Sequence, residues 1–213
     1  MSMRTLSPID RLLNATDNFL RSIATTPPSS RPYPAAGISE GELNATERKL
    51  AAALMRVNHS GEVAAQALYQ GQALTARTPE MAQLLHQAAT EEADHLNWTA
   101  KRIEALGGRT SLLDPLWYVG AFTLGAVAGR LGDRVSLGFL AETESQVEQH
   151  LMEHMWRLPQ GDAASRAVVE QMKDDEVKHM NTALDQGGGD LPAPVQAAMR
   201  ASGRVMTTVA HWV

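Results

Sequence analysis

The sequence predicts an all-α fold, a four-helix bundle with additional hydrophobic and C-terminal helices. Hydrophobic residues make up 44% of the 213 residues but aromatic residues only 5%. The apolar residues are mostly Ala, Leu, Val and Met, which together favour helices over strands. Long segments without proline also alternate with short breaks that contain Gly or Pro, as expected for helices joined by turns.

The chain is predicted to divide into an N-terminal part, residues 1–40, and a bundle domain, residues 41–213. The N-terminal part should open with an amphipathic helix capped by Ser7, because Ile9, Leu13, Leu20 and Ile23 recur at roughly helical intervals. The stretch "TTPPSSRPYPAAG" then carries four prolines in thirteen residues, which a helix or a central strand does not tolerate. It is interpreted as a linker or an extended arm.

The bundle domain contains four long predicted helices. They cover about 44–76, 78–106, 133–158 and 163–184. The first two are separated only by a short turn, so they should form an antiparallel hairpin. A last helix is expected from about Pro192 to the C-terminus, after the break "GGGD".

The segment from Pro115 to Gly129 has fifteen residues and no charge. As a helix it would be about 22 Å long, short of the roughly 30 Å of a bilayer core, so it is not expected to span a membrane. Two interpretations remain open. It is either a buried core helix or a hydrophobic surface that dips into a membrane, with Arg109, Arg130 and Arg134 placed to meet phosphate headgroups.

Composition excludes several classes of function. The net charge of −5 argues against a nucleic-acid partner, which normally requires a basic face. The absence of cysteine excludes disulfides, thiolate zinc sites and cysteine-bound iron–sulfur clusters. No secretory signal is expected, because no basic stretch followed by an apolar run opens the chain. Any metal must therefore be bound by Glu, Asp and His.

Two Glu-x-x-His units stand out, one in "EEADH" and one in "DEVKH". Their glutamates, Glu92 and Glu176, are 84 residues apart, and their histidines, His95 and His179, keep the same separation. A step of three residues rotates a helix by about 60°, so Glu and His lie side by side on one face. One such pair is common by chance on a solvated helix, but the repetition favours a metal site.

A further glutamate precedes each unit. Glu62 lies 30 residues before Glu92, and Glu144 lies 32 before Glu176. The chain thus resembles two copies of one helical hairpin, each with Glu and then Glu-x-x-His, which is the ligand pattern of di-iron bundles. Carboxylate and imidazole groups suit iron. The alternative is that Glu62 and Glu144 face solvent, as most glutamates do.

Four motifs in this order, "LMRVNHSGEVAAQALYQGQ", "EEADHL", "ETES" and "DEVKHM", resemble the demethoxyubiquinone hydroxylase family of ubiquinone biosynthesis. This family is a membrane-bound branch of the ferritin-like di-iron proteins, and the resemblance begins at about Glu42. It implies a ferritin-like four-helix bundle that uses two iron ions per chain to hydroxylate a polyprenylated 3-methyl-6-methoxy-1,4-benzoquinol. The iron ligands that it implies are Glu62, Glu92, His95, Glu144, Glu176 and His179.

Residues beside the implied ligands have expected roles as well. In related di-iron proteins a carboxylate before the ligand Glu orients a ligand His, so Asp175 either does the same or is a solvated charge. The same two roles are open to Glu91, for which a solvated charge is the favoured interpretation. Tyr69 either forms a hydrogen bond near the metals or belongs to the core.

Three other histidines are expected to have no part in metal binding. His59 lies three residues before Glu62, yet the family does not use it as a ligand, so we expect it to be hydrogen-bonded. His150 lies six residues beyond Glu144, about 120° away from its face. His150 and His154 are therefore interpreted as a solvated pair.

The resemblance also implies partners and a location. The substrates would be a polyprenyl benzoquinol and O₂. No Gly-x-Gly-x-x-Gly turn is found, so the electrons should come from an external donor, from the reduced substrate, or from NADH bound in another way. Peripheral contact through residues 115–129 would place the protein at the inner face of the bacterial cell membrane. A homo-oligomer is left open.

Two other classes of function fit the ligand pattern less well. A ferritin-like iron-handling protein, either a ferroxidase or a peroxidase, could use the same six ligands, but it would not need the uncharged stretch. A non-catalytic lipid-binding or scaffold bundle would have no use for six correctly ordered ligands.

Overall fold

The computed structural model describes the backbone of residues 8–213 and the side chains of residues 9, 10 and 13–213. The helices of this part of the chain are α1 (Pro8–Ala24), α2 (Ala45–Thr75), α3 (Pro79–Ala105), α4 (Asp114–Leu131), α5 (Asp133–Arg157), α6 (Ala163–Asp185) and α7 (Ala193–Ala210). The all-α prediction is confirmed. The last helix ends at Ala210 instead of the C-terminus, and the cap predicted at Ser7 lies outside the described residues.

Local signals explain why the helices begin where they do. Asn44 and Glu47 form a capping box at the start of α2, in which each side chain accepts the backbone N–H of the other residue. The Thr78 hydroxyl accepts the N–H of Met81 in the first turn of α3. Gly132, with φ of 116°, separates α4 from α5 because few other residues adopt that conformation.

Two helical hairpins, α2–α3 and α5–α6, form the bundle, as the repeat in the sequence predicted. Two clusters of apolar side chains fill its interior. One includes Leu54, Trp98, Leu151 and Met172, and the other includes Tyr69, Leu85, Leu140 and Ala183. On each of the four helices, one or more buried polar residues lie between the parts that enter the two clusters. The core thus encloses a polar centre.

Helix α4 packs against α2 through small residues. A Cβ atom at Gly125 would lie 2.1 Å from the carbonyl oxygen of Leu68, and one at Gly71 would lie 2.2 Å from that of Phe122. Only glycine permits so close an approach. The rest of α4 exposes large apolar side chains, namely Leu116, Val119, Leu124, Val127 and Leu131. Helix α4 is therefore half core helix and half hydrophobic surface. None of the described helices combines the length and hydropathy needed to cross a bilayer.

The N-terminal segment lies on the bundle. Phe19 and Ile23 of α1 pack against a small apolar cluster shared by α2, α3 and α4, and the Phe19 ring lies 5.0 Å from that of Tyr118. The proline-rich stretch that follows is an arm in contact with α3, since Asn97 donates a 2.6 Å hydrogen bond to the carbonyl oxygen of Pro27.

Candidate metal centre

The structure brings all six predicted ligands together inside the bundle. Helix α2 supplies Glu62, α3 supplies Glu92 and His95, α5 supplies Glu144, and α6 supplies Glu176 and His179. Every one of these side chains is buried. The interpretation of Glu62 and Glu144 as solvated residues is therefore wrong.

The donor atoms form two overlapping groups. One consists of Glu62, Glu92, His95 and Glu176, and the other of Glu92, Glu144, Glu176 and His179; within each group the candidate ligand atoms lie within 4.8 Å of one another. Because Glu92 and Glu176 belong to both groups, the arrangement suits two cations that share two carboxylates.

Both imidazole rings direct Nδ1 toward these carboxylates. Nδ1 of His95 lies 3.1 Å from Glu92, 3.3 Å from Glu62 and 3.2 Å from Glu176. Nδ1 of His179 lies 3.1 Å from Glu92 and 3.4 Å from Glu176. Nδ1 is therefore the atom that each ring offers to a metal.

The other nitrogen of each ring contacts a carboxylate from the opposite hairpin. Nε2 of His95 donates to Asp175 at 3.2 Å, and Nε2 of His179 donates to Glu91 at 2.8 Å. Each carboxylate thus orients the histidine of the other Glu-x-x-His unit, a common support of metal-binding histidines. Asp175 lies where the orienting role requires it. Glu91 is not the free solvated charge that was expected, although its side chain is 40% exposed.

Several carboxylate oxygens of the centre have no hydrogen-bond partner among the described residues. They are Oε1 of Glu92, both oxygens of Glu144 and both of Glu176. The contacts of Glu92 Oε1 and of Glu176 with the imidazoles lack hydrogen-bond geometry. Buried polar groups are normally hydrogen-bonded. These oxygens therefore mark a place that positive charge would fill, and a set of carboxylate and imidazole donors fits a transition metal such as iron.

Burial and the proximity of other charges shift the pKa values of these residues. Burial, reinforced by the neighbouring Glu92, raises the pKa of Glu62 well above its ordinary value. Burial and the charge of Glu176 do the same to Glu144. Burial disfavours a charged His179, yet Glu176 and Glu92 raise its pKa to about 12. Without metal, protons offset the negative charge of the centre, and metal ions must displace them on binding.

Two neighbouring residues also have defined surroundings. Tyr69 is fully buried in the cluster with Leu85 and Leu140, and its hydroxyl has no hydrogen-bond partner within the described part of the chain. Its contacts are those of a core residue. His59 shares a 2.9 Å hydrogen bond with Thr99, as predicted.

The prediction of a solvated His150–His154 pair is wrong, because His150 is half-buried with its Nε2 shielded from solvent and His154 is buried. This side chain is 1% exposed, and its Nδ1 donates a 2.6 Å hydrogen bond to Asn58. The angle of about 120° applied to His150 alone. His154 lies ten residues beyond Glu144, a rotation of only about 80° from its face, so it points into the bundle beside Leu151.

The structure adds one residue that no motif predicted. Arg31, in the proline-rich arm, contacts Asp94 at 2.8 Å and Asp175 at 2.7 Å. The one available signal was an isolated charge within "SSRPYP".

Similarity to known proteins identifies the family. Residues 49–210 match the family model described as ubiquinone biosynthesis protein COQ7. The chain belongs to the COQ7 family. The resemblance inferred from the four motifs is thus confirmed.

Several COQ7-family relatives are similar along almost their whole length. The 3-demethoxyubiquinol 3-hydroxylase of Verminephrobacter eiseniae is 57% identical over 208 residues, 98% of this chain and 100% of the relative. The protein of the same name from Nitrosomonas europaea is 57% identical over 96% of this chain and 99% of its own length. The protein of the same name from Ralstonia pickettii is 53% identical over 95% of this chain and 99% of its own length. Similarity therefore extends ahead of Glu42, where the motifs had placed its start.

Proposed function

We propose that this chain is a 3-demethoxyubiquinol 3-hydroxylase, a mono-oxygenase of ubiquinone biosynthesis that acts on the ring of a polyprenylated 3-methyl-6-methoxy-1,4-benzoquinol. One combined observation carries the proposal. Two overlapping groups of buried ligand donors occur in a chain that is 57% identical, over 98% of its length, to a relative of that name. The ligand set alone would also serve an iron-handling protein.

The metal we propose is iron, with two ions per chain. Glu62 and His95 would complete one position, Glu144 and His179 the other, and Glu92 and Glu176 would serve both. Four carboxylates would balance the four positive charges of two ferrous ions. When bound, the irons would supply the redox and Lewis-acid chemistry that activates dioxygen.

The chain's own residues hold and enclose this centre. Asp175 and Glu91 fix the two imidazole rings so that Nδ1 faces the carboxylates. The apolar clusters on either side keep bulk water away from the reacting groups. In the reaction, one oxygen atom of O₂ enters the quinol ring and the other leaves as water, with two electrons and two protons supplied from outside this chain.

The polyprenyl tail of such a substrate resides in a bilayer, and α4 offers a surface for it. The large apolar side chains of α4 are 52–63% exposed, and the exposed cations Arg109, Arg130 and Arg134 lie near its ends in sequence. We therefore propose a peripheral protein at the inner face of the bacterial cell membrane, with α4 lying in the interface.

Genetic complementation tests the proposed function. The chain is expressed in bacterial cells that cannot hydroxylate demethoxyubiquinol, and their quinones are analysed by mass spectrometry. Wild-type protein should restore ubiquinone. The variant Glu176→Ala should leave the demethoxy intermediate, while Glu153→Ala, an exposed position on α5, should behave as wild type. Persistence of the intermediate in cells that contain folded wild-type protein would refute the proposal.

A further inference from the structure

The N-terminal arm reaches the metal centre through one side chain. Nε of Arg31 lies 2.8 Å from Oδ2 of Asp94, and Nη1 lies 2.7 Å from Oδ2 of Asp175. Both aspartates are buried. Asp94 belongs to α3 and Asp175 to α6, the helices that carry the two Glu-x-x-His units. A single guanidinium therefore ties together the two helices that supply both histidines.

Asp94 holds the arm in place. Its carboxylate accepts the backbone N–H of Ser30 at 2.6 Å and the hydroxyl of Ser29 at 2.9 Å, in addition to the bond from Arg31. Within the described chain, all its hydrogen bonds come from Ser29, Ser30 and Arg31. Without the arm this buried carboxylate would be unpaired, which is costly. The docked position of the arm is thus strongly specified.

Arg31 is held on a second side by an aromatic ring. Its guanidinium carbon lies 4.6 Å from the centre of the Trp98 ring, a favourable cation–π distance. The Trp98 indole N–H in turn donates to Ser29 at 3.2 Å. The guanidinium therefore has little freedom to move away from Asp175.

Asp175 connects Arg31 to the metal centre. The oxygen that accepts from Arg31, Oδ2, also accepts from Nε2 of His95. Since Nε2 is held there, Nδ1 of His95 is directed to Glu62 and Glu92. Outer partners of this kind commonly tune metal affinity.

The two halves of the centre differ in this support. The carboxylate behind His179 is Glu91, whose side chain is 40% exposed. Apart from His179, the hydrogen-bond partner that the structure records for Glu91 is Gln87, at 3.4 Å. The arm therefore braces the His95 half alone.

We propose that Arg31 is a positioning residue for the His95 half of the centre, acting through Asp175, and that the arm Ser29–Arg31 belongs to the metal site. This inference rests on the proposed di-metal centre. It implies that loss of Arg31 weakens one metal position and leaves the other nearly intact.

The test is a titration of the metal-free full-length protein with Co²⁺ under anaerobic conditions. Binding is monitored by calorimetry and by visible absorption. Wild-type protein should bind two ions. Arg31→Gln should weaken one of them by about 10- to 100-fold, and Arg31→Lys should recover part of the loss. Glu40→Gln is the matched control, because Glu40 ties the same N-terminal segment to Arg102 through contacts of 2.7 and 2.6 Å without touching Asp175. It should leave both ions unchanged.

A double variant tests whether Arg31 acts through Asp175. Asp175→Asn alone and together with Arg31→Gln should weaken the same ion to a similar extent, because residues in one network have non-additive effects. Equal affinities of Arg31→Gln and wild type, or equal weakening of both ions, would overturn the inference. If Arg31→Gln does not fold, Arg31→Lys and Asp175→Asn are compared with wild type instead. Weakening of one ion supports the inference, and unchanged affinities or equal weakening of both ions overturn it. Failure of wild type to bind two ions would instead refute the di-metal centre itself.

Discussion

Nε2 of His95 donates a 3.2 Å hydrogen bond to Asp175, a residue 80 positions further along the chain. The contact crosses from α3 to α6, and its counterpart between His179 and Glu91 crosses the other way. Each hairpin therefore positions a metal-binding group of the other, so neither half of the sequence repeat can form a complete site alone.

The two orienting carboxylates should differ in importance. Asp175 is buried and Glu91 is 40% exposed, and buried charge–imidazole contacts are screened less by solvent. We expect Asp175→Asn to reduce iron affinity by about 10- to 100-fold and Glu91→Gln to reduce it by a smaller factor. Equilibrium dialysis against a competing chelator measures both values. A larger loss in Glu91→Gln would reverse our assignment.

The shared glutamates should matter for both ions. Glu176 belongs to both groups of donors and Glu144 to one. Purified Glu176→Ala should therefore lose most of both irons, whereas Glu144→Ala should retain about one per chain, given that each ion needs several ligands. Metal analysis by mass spectrometry decides, with Glu153→Ala as the control. Unchanged iron in both variants would show that these residues are not ligands.

The same ligands should destabilise the metal-free protein. Neither oxygen of Glu144 has a hydrogen-bond partner among the described residues, and each unsatisfied buried group costs about 1–3 kcal/mol. We expect Glu144→Gln to raise the free energy of unfolding without metal by about 1 kcal/mol, because the raised pKa of Glu144 means that the wild-type chain must take up a proton on folding at neutral pH, whereas the amide is already neutral. With iron bound, wild type should instead have the higher free energy of unfolding, because it binds the metal more tightly than the variant does. Urea unfolding with chelator and with iron measures both. A less stable variant in chelator would contradict this account.

Features that depend on residues close together in the sequence, or on a repeated motif, could be predicted from it, whereas isolated contacts between residues far apart in the chain could not. Helix ends followed local chemistry, such as the capping box of Asn44 and the break at Gly132. Four of the six predicted ligands, the two Glu-x-x-His units, were predictable because helical periodicity places residues three apart on one face. Glu62 and Glu144 were predictable because each precedes one unit by a similar distance, 30 and 32 residues. Arg31 was not, since its partners lie 63 and 144 residues away and its proline-rich segment has no period. The burial of His154 was not predicted, because its rotation of about 80° from the face of Glu144 differs from that of its neighbour His150, about 120°.

The close packing of α4 on α2 gives a prediction about stability. A Cβ atom at Gly125 would lie 2.1 Å from a backbone oxygen, whereas one at Gly120 of the same helix would meet nothing within 4 Å. Gly125→Ala should therefore lower the free energy of unfolding by about 1–3 kcal/mol. Gly120→Ala should be neutral or add up to about 1 kcal/mol. Urea unfolding compares them, and equal effects would show that the glycine contact is unimportant.

Acid should destabilise the fold through His154. Burial lowers the pKa of His154 to about 2, against about 6.5 in an unfolded chain. Below pH 6.5 the unfolded state therefore binds a proton that the folded state does not. As the pH is lowered, the free energy of unfolding decreases by about 1.4 kcal/mol per pH unit. His154→Gln should flatten this dependence between pH 6.5 and 5. Denaturant unfolding of metal-free protein at several pH values measures it, and parallel curves for the two proteins would contradict it.

Membrane attachment should depend on α4. Val119 and Leu124 are 55% and 52% exposed, so aspartate at both positions should leave the fold intact but remove apolar area from the membrane interface. We expect wild-type protein to sediment with vesicles and to resist release by salt, and the double variant to stay in solution. Leu184→Asp, at a position 45% exposed on α6, serves as the control. If the wild-type protein does not bind vesicles at low salt, this surface is not a membrane contact.

The reaction itself is tested by supplying the purified, iron-loaded and reduced protein with a prenylated demethoxyubiquinol and ¹⁸O₂. Mass spectrometry should find a quinol product that carries one ¹⁸O atom, and the variant His179→Ala, which lacks one ligand of the second group, should form none. Oxidised iron that accumulates without any hydroxylated quinol, under every reductant supplied, would contradict the hydroxylase account and favour an iron-handling protein.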